Sequence, residues 1–177
     1  MEPWLRPEEE TTVQDPTEFH FLDLLKSLER ALYWLREHLT ATPVEALWWE
    51  PAPGIPSIGA RVHHVIHASE RLATYAFAKS PNYEELAAES AQDWTPSPTA
   101  KEELLADLQA VFESIYQRIQ WLARDALYRQ RLVGRRRIPV RRSVILHHIA
   151  EHAAYHAGQL VVLLRLWQAQ QETTPNG

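Results

Sequence analysis

His148-Ile149-Ala150-Glu151-His152-Ala153-Ala154-Tyr155-His156-Ala157-Gly158-Gln159 is the stretch on which the reading of this chain turns. On a helical wheel at about 100° per residue, Ile145, Ile149, His152, His156, Leu163 and Trp167 fall within an arc of roughly 60°. The segment therefore reads as an amphipathic helix whose core face carries two histidines. A buried imidazole without a partner loses its hydrogen bonds to water, at a cost of roughly 1–3 kcal/mol. A shared divalent ion removes that cost for both rings, because side chains four apart on a helix lie side by side and reach one point.

Working outward, the twelve prolines of the 177-residue chain leave four long gaps, at 17–42, 57–80, 99–138 and 140–174. Proline breaks helix interiors, so the gaps mark where helices can run. In the first, Phe21, Leu24, Leu25, Leu28, Leu32, Leu35 and Leu39 recur at helical spacing behind the start signal Asp15-Pro16 and Glu18. The second opens at Ser57 and places Ile58, Val62, Val65, Leu72 and Ala76 on one side. The third takes Ser97 as N-cap and Pro98 as first helical residue, runs along Leu104, Leu108, Val111, Phe112, Ile115 and Ile119, and is expected to end near Leu127. The fourth is expected from about Val140 to about Gln170. A short helix is possible from Tyr83 in the connection 81–96. With no strand alternation, the fold class is all-α: a four-helix bundle whose long connections permit an order other than up-and-down. The domain spans 16–172, between an acidic, proline-bearing tail at 1–15 and a short tail at 173–177.

Composition narrows the chemistry. The hydrophobic fraction of 45% and charged fraction of 23% are those of an ordinary globular domain. The absence of cysteine removes disulfides, thiolate ligands and a catalytic thiol of the chain's own. A net charge of −5 argues against bulk attraction to nucleic acid. The longest strong apolar run, Leu160 to Leu164, is too short to cross a bilayer. No secretion signal is legible, and a cytoplasmic location is the expectation.

Bundle metal sites draw ligands from facing helices. Seven of the nine histidines fall in the second and fourth predicted helices. From the residues alone the third ligand is open: His64 is one candidate and the pair His63/His67 another, and periodicity does not choose between them. Carboxylate-bridged di-iron chemistry is excluded by the lack of Glu-x-x-His pairs, and His-Glu-x-x-His is absent. What remains is a mononuclear all-histidine site, for which zinc, nickel, iron and copper all qualify. His148 and Gln159, at either edge of the same face, are expected to orient ligands or bound water, or else to be ordinary polar residues at the bundle edge. Glu151 points about 100° away from His152 and is a weak general-base candidate.

Two segments resemble the DinB-like (YfiT-like) family of metal-binding four-helix bundles, which includes bacillithiol- and mycothiol-dependent transferases. One is Trp48-Trp49-Glu50-Pro51-Ala52-Pro53-Gly54-Ile55-Pro56-Ser57-Ile58-Gly59-Ala60-Arg61-Val62-His63-His64, similar to the family's proline-rich approach to a Ser-Ile-Gly and a ligand histidine. The other is His148 to Gln159, similar to His-x-x-x-His-x-Gly-Gln. The resemblance implies the ligand set His64, His152 and His156, zinc or nickel as the ion, and a homodimer. It also implies a thiol S-transferase acting on a low-molecular-weight thiol and an electrophile. The chain departs from the family at Arg61 and His63. The competing expectation is a non-catalytic metal- or ligand-binding bundle.

Seven of the eighteen basic residues, Arg129, Arg131, Arg135, Arg136, Arg137, Arg141 and Arg142, crowd the approach to the fourth helix. A solvated loop is the plain expectation; the alternative is that Arg135, Arg136, Arg137 and Arg141 hold a carboxylate or phosphate of the thiol or substrate. Trp48 and Trp49 are expected to be packing anchors.

Overall fold

The computed structural model describes residues 16–90, 93–94 and 98–173, so the tail 1–15, residues 174–177 and the expected cap Ser97 lie outside the described residues. In chain order the elements are α1 (Pro16–Ala41), α2 (Val44–Leu47), α3 (Ile58–Phe77), α4 (Tyr83–Ser90), α5 (Lys101–Gln120), a 3₁₀ turn (Arg124–Tyr128), β1 (Gln130–Val133), β2 (Ile138–Arg141) and α6 (Arg142–Thr173). The chain is predominantly helical, and α1, α3, α5 and α6 form the four-helix bundle that the proline spacing predicts.

The order of the bundle is not sequential. α1 packs against α5 and α6, and α3 packs against the same two. Consecutive long helices α1 and α3 therefore stand diagonally, as do α5 and α6. The two connections that bridge these diagonals, 42–57 and 121–141, must cross an end of the bundle, which accounts for their length.

The core is built from the predicted faces. Phe21, Leu24, Leu28, Leu35 and Leu39 of α1 meet Ile58, Val62 and Val65 of α3, Leu104, Leu108, Ile115 and Ile119 of α5, and Ile145, Ile149, Ala153 and Leu160 of α6 in one buried cluster. α1 starts at Pro16, whose missing N–H is no loss in a first turn, and carries Glu18 where the helix dipole favours negative charge. α3 is opened by Ser57, whose Oγ accepts from the Ala60 N–H at 3.2 Å.

Two expectations about α5 are corrected. Pro98 does not start α5; the helix begins at Lys101, after Ala100 in extended conformation. Thr99 is held out of the helix because its carbonyl accepts from Trp48 Nε1 at 3.2 Å and its hydroxyl bonds His63 at 2.9 Å. α5 stops at Gln120 rather than near Leu127. There Arg124 turns the chain by pairing with Glu18 at 2.5 Å and lying 3.3 Å from the Phe21 ring centroid, both in the first turns of α1.

The arginine-rich connection is not a plain loop. β1 and β2 form an antiparallel hairpin in the register Gln130↔Arg141 to Val133↔Ile138, closed by Gly134 at φ 69° and Arg137 at φ 51°. Helix α6 accordingly begins at Arg142 instead of Val140. Val133 and Val140 pack one side of the hairpin on the core. The sequence hid this because each strand is only four residues long and Pro139 interrupts the second.

Several arginines are structural. α3 has no basic residue in its own last turn. Arg142 Nε instead donates to the Ala76 carbonyl at 2.8 Å and Nη1 to that of Ala126 at 2.9 Å, while Arg131 donates to the carbonyls of Tyr75 and Ala78. The carbonyls that end α3 are thus satisfied from outside the helix.

The start of α3 is locked in a different way. A Cβ on Gly59 would lie 2.7–2.9 Å from atoms of the Trp48 ring, so only glycine lets the indole lie against the first turn. Trp48 is the packing anchor expected. Gly59→Ala should therefore destabilise the protein by about 1–3 kcal/mol, the usual cost of overpacking. Urea unfolding followed by tryptophan fluorescence checks this; an unchanged midpoint would mean that Trp48 moves aside freely.

Candidate metal site

α6 presents His152 and His156 one turn apart toward α3, and α3 presents His64 toward them. His64 Nε2 lies 3.0 Å from His152 Nε2, and His156 Nε2 lies 3.1 Å from the same atom. One nitrogen from each of the three rings falls within 4.8 Å of the others. The rings meet edge to face, with centroids 4.5–5.0 Å apart and interplanar angles of 68–77°.

Hydrogen bonding alone accounts poorly for this convergence. An imidazole nitrogen carries either one N–H or one in-plane lone pair. His152 Nε2 therefore cannot donate to one neighbour and accept from the other. A cation at the common point satisfies all three lone pairs. Tetrahedral zinc at about 2.0–2.1 Å from each nitrogen would set them roughly 3.3 Å apart, close to the separations found. The donor set fits a divalent ion of borderline softness, with three protein ligands among the described residues.

Burial fixes the protonation state that such an ion needs. All three rings are pushed down from 6.5 to about 4. For each, desolvation is the largest cause. The charge of a neighbouring ring comes next: His152 acting on His64, His156 on His152, and His64 on His156. The imidazoles are neutral at pH 7 and hold their lone pairs ready.

Around the triad stands a shell that the sequence did not reveal. Asp93, only 4% exposed, places Oδ2 at 3.2 Å from His64 Nδ1, a polar contact off the line of an aligned hydrogen bond. Its carboxylate is clamped by Arg71 through two bonds, at 2.8 and 2.5 Å. Trp94 stacks on His64 with centroids 4.1 Å apart and planes 18° apart. Asp93 and Trp94 come from an irregular connection with no periodicity to mark them. Arg71 did carry a signal, since it follows His64 by two helical turns and shares its face. Nδ1 of His152 and of His156 is buried without a hydrogen-bond partner among the described residues.

The other candidates lie apart from the triad. His63 bonds Thr99 and faces the Trp48 ring at 5.9 Å, and exposed His67 packs edge-on against His63. His148 is exposed, 5.9 Å from the His152 ring, with Nδ1 3.9 Å from Glu151 Oε2. Gln159 does stand beside the site and accepts from Arg61 Nη1 at 2.7 Å. Arg135 pairs with Glu84, and Arg137 covers the Tyr83 ring. These two sit by the end of α3, eleven residues beyond His64 at Tyr75 and so about 16 Å along the axis. Arg141 borders a separate groove with His20, His147 and His148, and none of the contacts of the triad involves Arg136.

Comparison with known proteins agrees with this architecture. A family model described as the DinB superfamily matches residues 27–160. Among solved structures, a DinB-like protein from Bacillus cereus ATCC 10987 shares 23% identity at a TM-score of 0.66, covering 83% of this chain and 91% of that one. A DinB-like protein from Bacillus subtilis, YjoA, is 17% identical at a TM-score of 0.59, over 81% of this chain and 90% of its own. YfiT from Bacillus subtilis, described as a probable metal-dependent hydrolase with an unusual four-helix bundle topology, is 16% identical at 0.62, over 90% and 91%. These likenesses establish the fold. No curated protein matches the sequence.

The lowered histidine values set a pH dependence for the metal-free protein. Each ring titrates near 6.5 when unfolded and near 4 when folded, so between these values the unfolded chain binds protons that the folded one refuses. Stability from this source is intact above pH 6.5 and is lost as pH falls to about 4. Urea midpoints of the metal-free protein should fall between pH 7 and 5, and less steeply in His152→Leu. An equal slope in both would show that the triad does not resist protonation.

Proposed function

The chain belongs to the DinB superfamily, and from that premise and the three converging imidazoles we propose that it is a divalent-metal enzyme that transfers an external thiol to an electrophile. One domain, residues 16–172, carries the site. His64, His152 and His156 hold the ion, zinc or nickel, and the observation that carries the reading is the meeting of their nitrogens within 4.8 Å with no fourth ligand among the described residues. Three ligands and an open position are the mark of catalytic sites, whereas structural zinc is closed by four. When bound, the ion supplies Lewis acidity at that position and lowers the pKa of a thiol or water placed there. The chain has no cysteine, so a thiol nucleophile comes from outside.

The protein's residues prepare the site in definite ways. Burial keeps the three histidines neutral. Asp93 favours a proton on His64 Nδ1, which turns the Nε2 lone pair toward the common point, and Arg71 keeps Asp93 in place. Trp94 covers one face of His64 and excludes water from it while its own edge remains exposed. Among the described residues no carboxylate touches the three nitrogens directly, so these residues supply position and dryness, and the chemistry of proton removal falls to the open position.

A second reading, metal-dependent hydrolysis with water in place of the thiol, is favoured by the likeness to YfiT. The same three ligands serve either. Purified protein should contain about one ion per chain, and His64→Ala and His152→Ala should each lose it. Metal retained in both variants would refute the site. Turnover of a generic electrophile only with added bacillithiol, mycothiol or glutathione supports transfer; ester or amide cleavage without thiol supports hydrolysis. Neither activity with a full metal complement would make the ion non-catalytic.

Asp93→Asn should weaken metal affinity by about 10–100-fold in chelator competition, the usual effect of removing the partner of a ligating histidine. Unchanged affinity would remove Asp93 from this role. We further take the protein to act as a homodimer, which sedimentation equilibrium decides directly.

A further inference from the structure

Arg61 is the charged residue whose placement the preceding reading leaves unused. It precedes His64 by three residues on α3 and so shares its face. Three contacts fix its head group beside the triad. Nη1 donates to Gln159 Oε1 at 2.7 Å, and Gln159 stands three residues beyond His156 on α6. The guanidinium carbon lies 6.0 Å from the centroid of the Trp94 ring that covers His64. Its charge is among those that hold His156 below its ordinary value.

The guanidinium is only partly satisfied. With Nη1 engaged by Gln159, the edge formed by Nε and Nη2 has no hydrogen-bond partner among the described residues, and Nε is buried. That edge is one of the two forks that take both oxygens of a carboxylate.

Charge balance leads to the same point. Asp93 and Arg71 neutralise one another. Glu151 is exposed and turned toward His148. Arg61 has no carboxylate partner among the described residues, yet it is partly desolvated beside a site suited to a dication. A cation held there raises the cost of binding the metal unless an anion comes between them.

We propose that Arg61 is a specificity-determining residue that binds, through the guanidinium N–H groups that Gln159 leaves unengaged, a carboxylate on the small molecule docking at the triad. The inference deepens the proposed function, since it makes the triad the reaction centre and names an anionic group on its ligand. Gln159 positions the fork from α6, and Trp94 offers an aromatic wall next to it. An uncharged ligand of the same shape would leave the fork unpaired.

The test uses the full chain, in metal-free and zinc-loaded forms, titrated with phenylacetate and with its uncharged counterpart phenylacetamide. Binding is read from the shift of the Trp94 indole resonance in NMR spectra. In the metal-free protein phenylacetate should bind roughly tenfold more tightly than the amide, the scale expected of a charge-assisted bidentate pair. Arg61→Gln should remove that preference, weakening phenylacetate binding far more than binding of the amide. Arg61→Lys, which keeps the charge but not the fork, should retain a smaller part of it. Zinc loading should preserve the dependence on Arg61.

Equal binding of the two probes by the metal-free protein, or a preference that survives Arg61→Gln, would overturn the proposal. If the protein takes up no zinc, the metal reading fails by itself, while the metal-free titration still decides the role of Arg61.

Discussion

Three imidazole nitrogens brought to one point are the constraint around which this molecule is arranged. Hydrogen bonds cannot satisfy the three together, because the shared His152 Nε2 can act only as donor or only as acceptor. The bundle nonetheless holds them in place through Val62 and Val65 on α3 and Ile149 and Ala153 on α6, all buried to solvent exclusion. Rigid helices set the spacing, and packing sets the angle between them. The unusual order of the bundle follows the same need, since it makes α3 and α6 direct neighbours although a long helix intervenes in sequence.

Much of this was legible in the chain. Helical periodicity is strong wherever one face is buried, so Leu24, Leu28, Leu35 and Leu39, or Leu104, Leu108, Ile115 and Ile119, declared their helices. His152 and His156 declared themselves because polar residues at core positions require an explanation. His64 could not be separated from His63 by periodicity. The resemblance pointed to it, and the fold puts it beside His152 while His63 turns to Thr99.

What stayed hidden shares a physical cause. Asp93 and Trp94 lie in irregular chain, where no period exists to read. The start of α5 was displaced by bonds from Trp48 and His63 to Thr99, contacts distant in sequence. The hairpin at 130–141 was masked by its short strands and by charged side chains. Its arginines looked like a single basic patch. In the fold Arg131 and Arg142 end α3, while Arg135 and Arg137 rest on residues at the start of α4. Local propensity could not have assigned those separate tasks, because each depends on which carbonyl or ring the fold brings within reach.

The connection from α3 to α5, residues 78–100, joins two helices that are already neighbours, and a much shorter link would serve. Its surplus length delivers Asp93 and Trp94 to the rim of the triad. The floor of the site is thus written in two core helices, where almost any change disturbs packing, and its outer wall in a segment that carries little of the core. Such a division separates what can vary from what cannot. Substitutions at Asp93 or Trp94 would therefore change what borders the three nitrogens while the two helices that carry them keep their packing.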